Sequence, residues 1–199
     1  YKSWEMILVD DCSSDSTLAV MNKFSKHNNI TILRNTKNFG LAKSLNYGIS
    51  KSRGAYIARM DADDCSLPER LFLQMKFMDK NKDVDVLGSN ASFIGKDKRV
   101  VSMAITHEAI RLQIVKTSPF IHPSVIYKRS FIDRLGGYNE KSLRAEDYDL
   151  WYRGLDSSRY HNLDELLIEY KEANKKIIRS TVDCAKVRLK YNPSKSSAI

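Results

Sequence analysis

Three carboxylates at the end of one short apolar run constrain this chain more than any other feature. Ala55-Tyr-Ile-Ala-Arg-Met60 reads as a buried strand, and Asp61-Ala-Asp-Asp64 follows it directly. Negative charges this close repel one another. A divalent cation relieves that repulsion, and carboxylate oxygens are the ligands that Mg2+ and Mn2+ prefer. In open α/β sheets ligands bind beyond the carboxyl ends of strands, which is where the cluster falls. A lone Asp there would be read as a turn former; Asp-x-Asp-Asp argues for a site. Downstream, Ser66, Pro68 and Glu69 have the spacing of a capping box. That predicts a helix starting at Ser66, with Leu67, Leu71, Met75 and Met78 on one face.

The preceding chain repeats the pattern. Glu5-Met-Ile-Leu-Val9 reads as a strand ending in Asp10-Asp11, and a helix runs from the capping residues of Cys12–Thr17 to about His27. Ile30–Leu33 is a second strand, Asn35–Gly40 a polar loop, and Leu41 to about Ser52 a helix closed by Gly54. Strand, helix, strand, helix, strand predicts a parallel sheet covered by helices. Both acidic strand ends then lie along one edge and meet in one cleft. The second half changes character. It reads as a strand at Val84–Gly88, a hairpin at Ala91–Met103 turning at Gly95–Asp97, a Thr106-capped helix to Lys116, and a Pro119–Tyr127 loop entering a strand. A short helix at Phe131–Leu135 and a helix from Ala145, with Leu150 and Trp151 inward, complete it. Beyond Asn162 two readings stay open: one long helix over Glu165–Arg188, or a strand at Leu167–Tyr170 followed by a helix.

A chain of 199 residues with 42% hydrophobic content is enough for one domain with a real core. No apolar run approaches the roughly 20 residues of a membrane span. Three cysteines, Cys12, Cys65 and Cys184, are odd in number and far apart, which suits a reducing compartment better than a disulfide scaffold. The formal charge is +9, and the last 29 residues hold eight Lys or Arg against Glu172 and Asp183. Such a tail suits anionic lipid, nucleic acid or phosphorylated substrates, or is simply a solvated surface. Ile177, Ile178, Thr181, Ala185 and Leu189 share one helical face among these cations, the pattern of an interfacial helix. Tyr1-Lys-Ser-Trp-Glu5 leads almost directly into a strand without a start methionine, so a cut N-terminus is expected.

Val9-Asp-Asp-Cys-Ser-Ser-Asp-Ser-Thr17, Asn38-Phe-Gly40, Met60-Asp-Ala-Asp-Asp64 with Pro68-Glu-Arg-Leu71, His122-Pro-Ser-Val125, Gly136-Gly-Tyr138 and Glu146-Asp-Tyr-Asp-Leu-Trp151 occur in that order. Over about residues 4–170 this resembles a family 2 glycosyltransferase of bacterial surface-polysaccharide type. The resemblance implies an α/β, GT-A-like, Rossmann-type three-layer sandwich with a mixed, largely parallel sheet. It implies a nucleotide-sugar half over about 1–90, an acceptor half over about 91–170, and a basic tail over 171–199. It implies inverting transfer from a nucleoside diphosphate sugar, UDP-linked in most relatives, to a hydroxyl of a glycan or lipid-linked saccharide, with no nucleic acid partner. Asp11 would hold uracil, with Asp10 and Asn38 in the same nucleotide pocket. Asp61 would contact ribose or donor sugar, Asp63 would bind Mn2+ or Mg2+, and Asp147 would be the base, supported by Glu146. His122 and Trp151 fall on the acceptor side, where a structural hydrogen bond and a core position are the alternatives. A cytoplasmic enzyme resting peripherally on the inner face of the plasma membrane fits the tail. Relatives carry an earlier strand and nucleotide-binding loop that this sequence lacks, so an exposed sheet edge or gap is expected.

Other readings compete. A truncated, non-catalytic nucleotide-binding remnant would keep the same motifs. A haloacid dehalogenase-type phosphatase also places Asp-x-Asp after a strand, but the contexts of Asp10-Asp11 and Glu146-Asp147 suit it poorly. A receiver-like signalling module would explain Leu8-Val-Asp-Asp11 and leave the second half unused.

Overall fold

The computed structural model describes residues 3–94, 99–142, 144–171 and 177–191, with backbone alone for 177–181. Strands β1 (Met6–Asp10) and β2 (Ile30–Arg34) pair in parallel, from Met6 opposite Ile30 to Asp10 opposite Arg34. Between them α1 (Thr17–Asn22) stops short of His27; it buries no residue, so no packing prolongs it. Helix α2 (Leu41–Lys51) starts after Gly40, whose φ of +87° is a backbone state that only glycine adopts freely. Strand β3 (Tyr56–Ala58) is the core of the acidic-ended strand, trimmed at both ends.

The chain then runs through β4 (Cys65–Ser66), α3 (Arg70–Lys80), β5 (Val86–Ile94), β6 (Val100–Val101), α4 (His107–Ile114) and a 3-10 turn at His122–Ser124. It continues through β7 (Ile126–Lys128), α5 (Arg129–Arg134), α6 (Glu146–Gly154), β8 (Tyr160–Lys171) and α7 (Ile177–Tyr191). The second sheet has the order β3-β7-β5-β8-β4, with β6 paired to β5. The sheet is mixed, and its parallel part is narrower than strand–helix alternation predicts. β1 pairs β2 and β5 pairs β8 in parallel; the pairs β3–β7, β5–β7, β5–β6 and β4–β8 are antiparallel. The reason is that β3 finds its partner in β7, from the second half of the chain. Among the described residues β1 has a strand partner only in β2, and β3 only in β7.

The capping box at Ser66 does not form. The Cys65 and Ser66 backbones pair with Glu169 and Ile168 of β8, so the helix waits until Arg70. Residues 65–66 therefore satisfy their polar groups through a non-local strand partner rather than a local cap. Of the two readings beyond Asn162, strand then helix is realised, with the strand already begun at Tyr160. The strands flanking the 91–103 hairpin pair as expected, Ala91 with Val101; its turn lies outside the described residues.

Alternation along the strands splits the core between two sheet faces. Val86, Tyr127 and Tyr160 join one cluster, while Leu87, Ile126, Leu163 and Leu167 join another with Met75 and Met78 of α3. Trp151 centres the first, fully buried, with Phe120 at 5.1 Å in edge contact and Phe131 stacked at 6.1 Å. Trp151 is thus core rather than an acceptor platform, because no face of the ring reaches solvent. Replacing Trp151 with Ala should destabilise the fold by about 3–5 kcal/mol, measured by denaturant unfolding; a loss below about 1 kcal/mol would contradict this packing.

Candidate active site

The carboxylate loop leaves β3 through Arg59, whose N–H still bonds to the Val125 carbonyl at 3.0 Å. Arg59 is buried, and its guanidinium grips Asp61 with two bonds: Nη1 to Oδ2 at 2.6 Å and Nη2 to Oδ1 at 2.5 Å. Asp63 is exposed. Asp64 Oδ1 accepts the Lys171 N–H at 2.8 Å, tying the loop to the end of β8. Burial pushes the Asp64 carboxyl up; the Lys171 N–H opposes this, and the charges of Asp61 and Asp63 add to it.

Asp147 stands part-buried in the first turn of α6, beside buried Glu146. Helix dipoles favour carboxylates at that end. Two tyrosines report where Asp147 lies. Burial raises the Tyr170 phenol, and the charges of Asp64, Asp61 and Asp147 raise it further, against Arg59. Burial likewise raises Tyr138, with a contribution from Asp147 and an opposing one from Arg59. Asp147 and the carboxylate loop therefore act on one neighbourhood. His122 joins it through Tyr138: its Nε2 lies 2.9 Å from the Tyr138 hydroxyl, which lies 3.4 Å from that of Tyr127. The structural hydrogen bond anticipated for His122 is present.

The first acidic strand end is built differently. Asp10 is buried, its Oδ1 accepts the Ser13 N–H at 2.9 Å, and Arg34 Nε lies 3.2 Å from Oδ2. Asp10 is therefore engaged within the chain at the strand end. Asp11 organises the loop before α2: Oδ1 accepts from Asn35 Nδ2 at 2.7 Å and Phe39 N–H at 2.8 Å, and Oδ2 from Gly40 N–H at 2.8 Å. Burial works against its charge, but these bonds outweigh it and hold the carboxyl below its usual range. Asn38 is exposed; buried Asn35, which sequence reasoning passed over, is the residue that reaches Asp11 and also Ser44 Oγ at 2.9 Å. Beside this loop a cleft of about 540 Å³ opens among Arg34, Asn35, Phe39, Lys43, Tyr47 and Glu140, a size suited to a nucleotide-scale ligand.

Comparison with known proteins bears on these motifs. The family described as glycosyl transferase family 2 matches residues 1–136. The chain belongs to that family. Among family 2 relatives, the putative glycosyltransferase EpsE of Bacillus subtilis is 35% identical over 181 residues, covering 86% of this chain and 64% of EpsE. The UDP-Gal:alpha-D-GlcNAc-diphosphoundecaprenol beta-1,3-galactosyltransferase of Escherichia coli is 31% identical over 172 residues, covering 84% of this chain and 62% of that protein. The chain thus spans about three-fifths of these relatives. In fold it resembles S. aureus TarS 1-349 in complex with UDP, with a TM-score of 0.71 at 22% identity, covering 93% of this chain and 56% of that one. It also resembles the mannosyltransferase PcManGT of Pyrobaculum calidifontis in complex with GDP-Man and Mn2+, with a TM-score of 0.64 at 20% identity, covering 87% and 48%. The expected α/β GT-A-type fold is the fold observed.

Whether this family 2 site suits a divalent cation is decided by its donor set. Among the described residues no group of three or more His, Cys, Asp and Glu could by itself hold a metal ion. The loop nevertheless fits a cation completed by ligand oxygens. Asp64 Oδ2 is buried without a hydrogen-bond partner, and the charges of Asp61 and Asp63 act on the Asp64 carboxyl.

Asp11 gives a pH test. Its carboxyl is held low in the folded state, so its stabilisation is present above the unfolded pKa and lost as pH falls through the folded one. Asp11→Asn places an NH2 against either the Gly40 or the Phe39 N–H, and should cost about 1–3 kcal/mol at neutral pH. The deficit in Tm should shrink on acidification through the carboxylate range. A deficit unchanged by pH would show that Asp11 does not act through its charge.

Proposed function

We propose that the chain carries the catalytic unit of an inverting glycosyltransferase. It moves a sugar from a nucleoside diphosphate donor, UDP-linked, to a hydroxyl of a glycan or lipid-linked saccharide. The observation that carries this reading is the acidic loop Asp61–Asp64, gripped by Arg59 at Asp61 and tied to the end of β8 at Asp64, in a chain of glycosyl transferase family 2. A diphosphate-handling loop and a separate base on one neighbourhood are what a one-step displacement at an anomeric carbon requires.

In this reading Asp147 accepts the proton of the acceptor hydroxyl, a poor nucleophile at neutral pH. Asp61 accepts a hydrogen bond from a donor hydroxyl. Asp63, with Asp64, would hold Mn2+ or Mg2+. Such an ion supplies Lewis-acid stabilisation of the charge on the departing diphosphate. The loop set by Asp11 and Asn35 borders the cleft lined by Phe39, Tyr47, Arg34 and Lys43, whose aromatic faces and cations suit a base and phosphates. His122, held from behind by the buried Tyr138 hydroxyl, would face the acceptor side. Support for a UDP donor comes from the named activity of the Escherichia coli relative and from the UDP bound to TarS.

Asp147→Asn should leave UDP affinity within a few-fold and lower the transfer rate by roughly 10²-fold or more, measured with radiolabelled UDP-sugar. A near-normal rate would move the base elsewhere, with Glu146 next. Asp63→Ala should abolish the Mn2+ dependence of UDP binding; retention would overturn the ligand assignment.

The same proposal places the protein at the inner face of the plasma membrane. α7 packs inward through Val187 and Cys184, leaving Val182 and Leu189, 49% and 43% exposed, beside Lys186 and Lys190. Ile177, Ile178 and Thr181 of the expected stripe have side chains outside the described residues. No described helix is long and apolar enough to cross a membrane. The protein should sediment with vesicles containing anionic lipid and be released by salt, and Lys186→Glu with Leu189→Asp should weaken this. Equal, salt-insensitive partitioning of both proteins would remove the membrane role.

A further inference from the structure

Arg59 has an environment that a purely structural arginine does not need. Its side chain is 3% exposed, while that of its partner Asp61 is 33% exposed. Its backbone is clamped on both sides: the N–H bonds to Val125, and the carbonyl accepts Arg70 Nη2 at 2.7 Å. Arg70 is itself buried, and its other acceptors are neutral: Gln74 Oε1 at 3.1 Å, Met60 Sδ at 3.2 Å and the Val125 carbonyl at 3.3 Å. Gln74 is in turn anchored to the Ser124 carbonyl at 2.7 Å. Two guanidinium groups thus lie beneath a loop of three carboxylates, and one is in bidentate contact with a single member. Burying cations is costly; Arg59 offsets that cost through Asp61, whereas Arg70 is held by neutral acceptors and its pKa is pushed down to about 10 by burial and by the charge of Arg59.

An ionised carboxylate offers about four lone-pair sites. Arg59 takes two from Asp61, one on each oxygen, and its fixed fork sets the plane of the carboxylate. The remaining sites face outward from a group that is one-third exposed. A divalent cation approaching Asp61 would meet the charge of Arg59 behind it. Asp63 and Asp64 have no such bidentate partner among the bonds described, and the Asp64 Oδ2 atom is unsatisfied.

Resting on the glycosyltransferase reading, we propose that Arg59 is a positioning residue that neutralises and orients Asp61. It dedicates Asp61 to accepting a hydroxyl of the nucleotide's ribose and leaves the divalent cation to Asp63 and Asp64. The Arg59–Asp61 pair is then a specificity element for the donor, separate from the metal.

The test uses calorimetric titration of the protein with Mn2+ alone, then with UDP at saturating Mn2+. Asp61→Asn should hold the Mn2+ affinity within about threefold and weaken UDP by about tenfold or more. Arg59→Gln should weaken UDP similarly while Mn2+ binds equally or more tightly, because Asp61 is no longer offset. Arg59→Lys, which keeps the charge without the fork, should recover part of the UDP affinity. Loss of packing alone would weaken both ligands together. A drop of about tenfold or more in Mn2+ affinity for Asp61→Asn would make Asp61 a metal ligand and overturn the proposal. So would unchanged UDP affinity in Arg59→Gln. Should Arg59→Gln not fold, Asp61→Asn decides alone, since it preserves the shape of the side chain. Failure of the unaltered protein to bind either Mn2+ or UDP would overturn the glycosyltransferase reading and this proposal with it; binding of both with the wrong variant pattern would overturn only the role of Arg59.

Discussion

The parallel pairing of β5 with β8 is the constraint on which the rest of the structure depends. It runs from Val86 opposite Tyr160 to Ile94 opposite Lys171, with an irregularity around Asn90. A parallel pair cannot close through a tight turn, so everything from β6 to α6 is its crossover. That crossover delivers β7 to the other side of β5 and sends α6 toward the same neighbourhood as the carboxylate loop. The pairing is close enough to dictate residues. At Gly88 a Cβ would press on Asn162 and Phe120, while Asn162 Nδ2 serves the carbonyls of Ala104 at 2.7 Å and Pro119 at 3.0 Å. On its other edge β8 pairs with β4, and at its end it presents the Lys171 N–H to Asp64. One strand connects the aromatic core around Trp151 to the acidic loop.

Local signals in the sequence were read well where the partner of a residue lies nearby in the chain. β1, β2, α2 and β3 follow from apolar runs punctuated by Gly and Asp, and the acidic ends follow from where those runs stop. Ser66 shows the limit. Its spacing to Glu69 is that of a cap, yet its backbone is taken by Ile168, about a hundred residues on. The same holds for β3, which alternation assigns to a parallel neighbour and the fold assigns to β7.

The site was legible in its charges and less so in what holds them. Asp61, Asp63 and Asp64 stand out because three carboxylates crowd one strand end, whereas Asp147, in a helix first turn where acids are common, is singled out only through the family resemblance. Asn35 does not, because a buried amide has the same one-letter signature as a loop former such as Asn38 beside it. Arg59 is also silent in pattern, although an arginine inside an apolar strand two positions before an acidic cluster is a signal that charge pairing would explain.

The two acidic groups of the site are held by opposite means. Asp61 is fixed from beneath by buried cations, Arg59 directly and Arg70 through the Arg59 carbonyl. Asp147 is placed by a helix whose own anchor is a buried anion. Asp149, fully buried two residues on, accepts Asn139 Nδ2 and Ser142 Oγ at 3.0 Å each, Tyr191 OH at 3.1 Å and Arg153 Nε at 2.7 Å. Burial opposes its charge, but Asn139, Arg153 and Ser142 hold the carboxyl below its usual range. Arg153 passes on to the carbonyls of Leu135 and Gly137, which fixes the Gly136-Gly-Tyr138 turn carrying the His122 partner. Tyr191 belongs to α7, so the basic tail helix is tied to the anchor of the helix that carries Asp147. Its cation at Lys190 lies 3.5 Å from the same Asp149 carboxylate, so the charge of the tail helix and the placement of Asp147 meet at one buried anion.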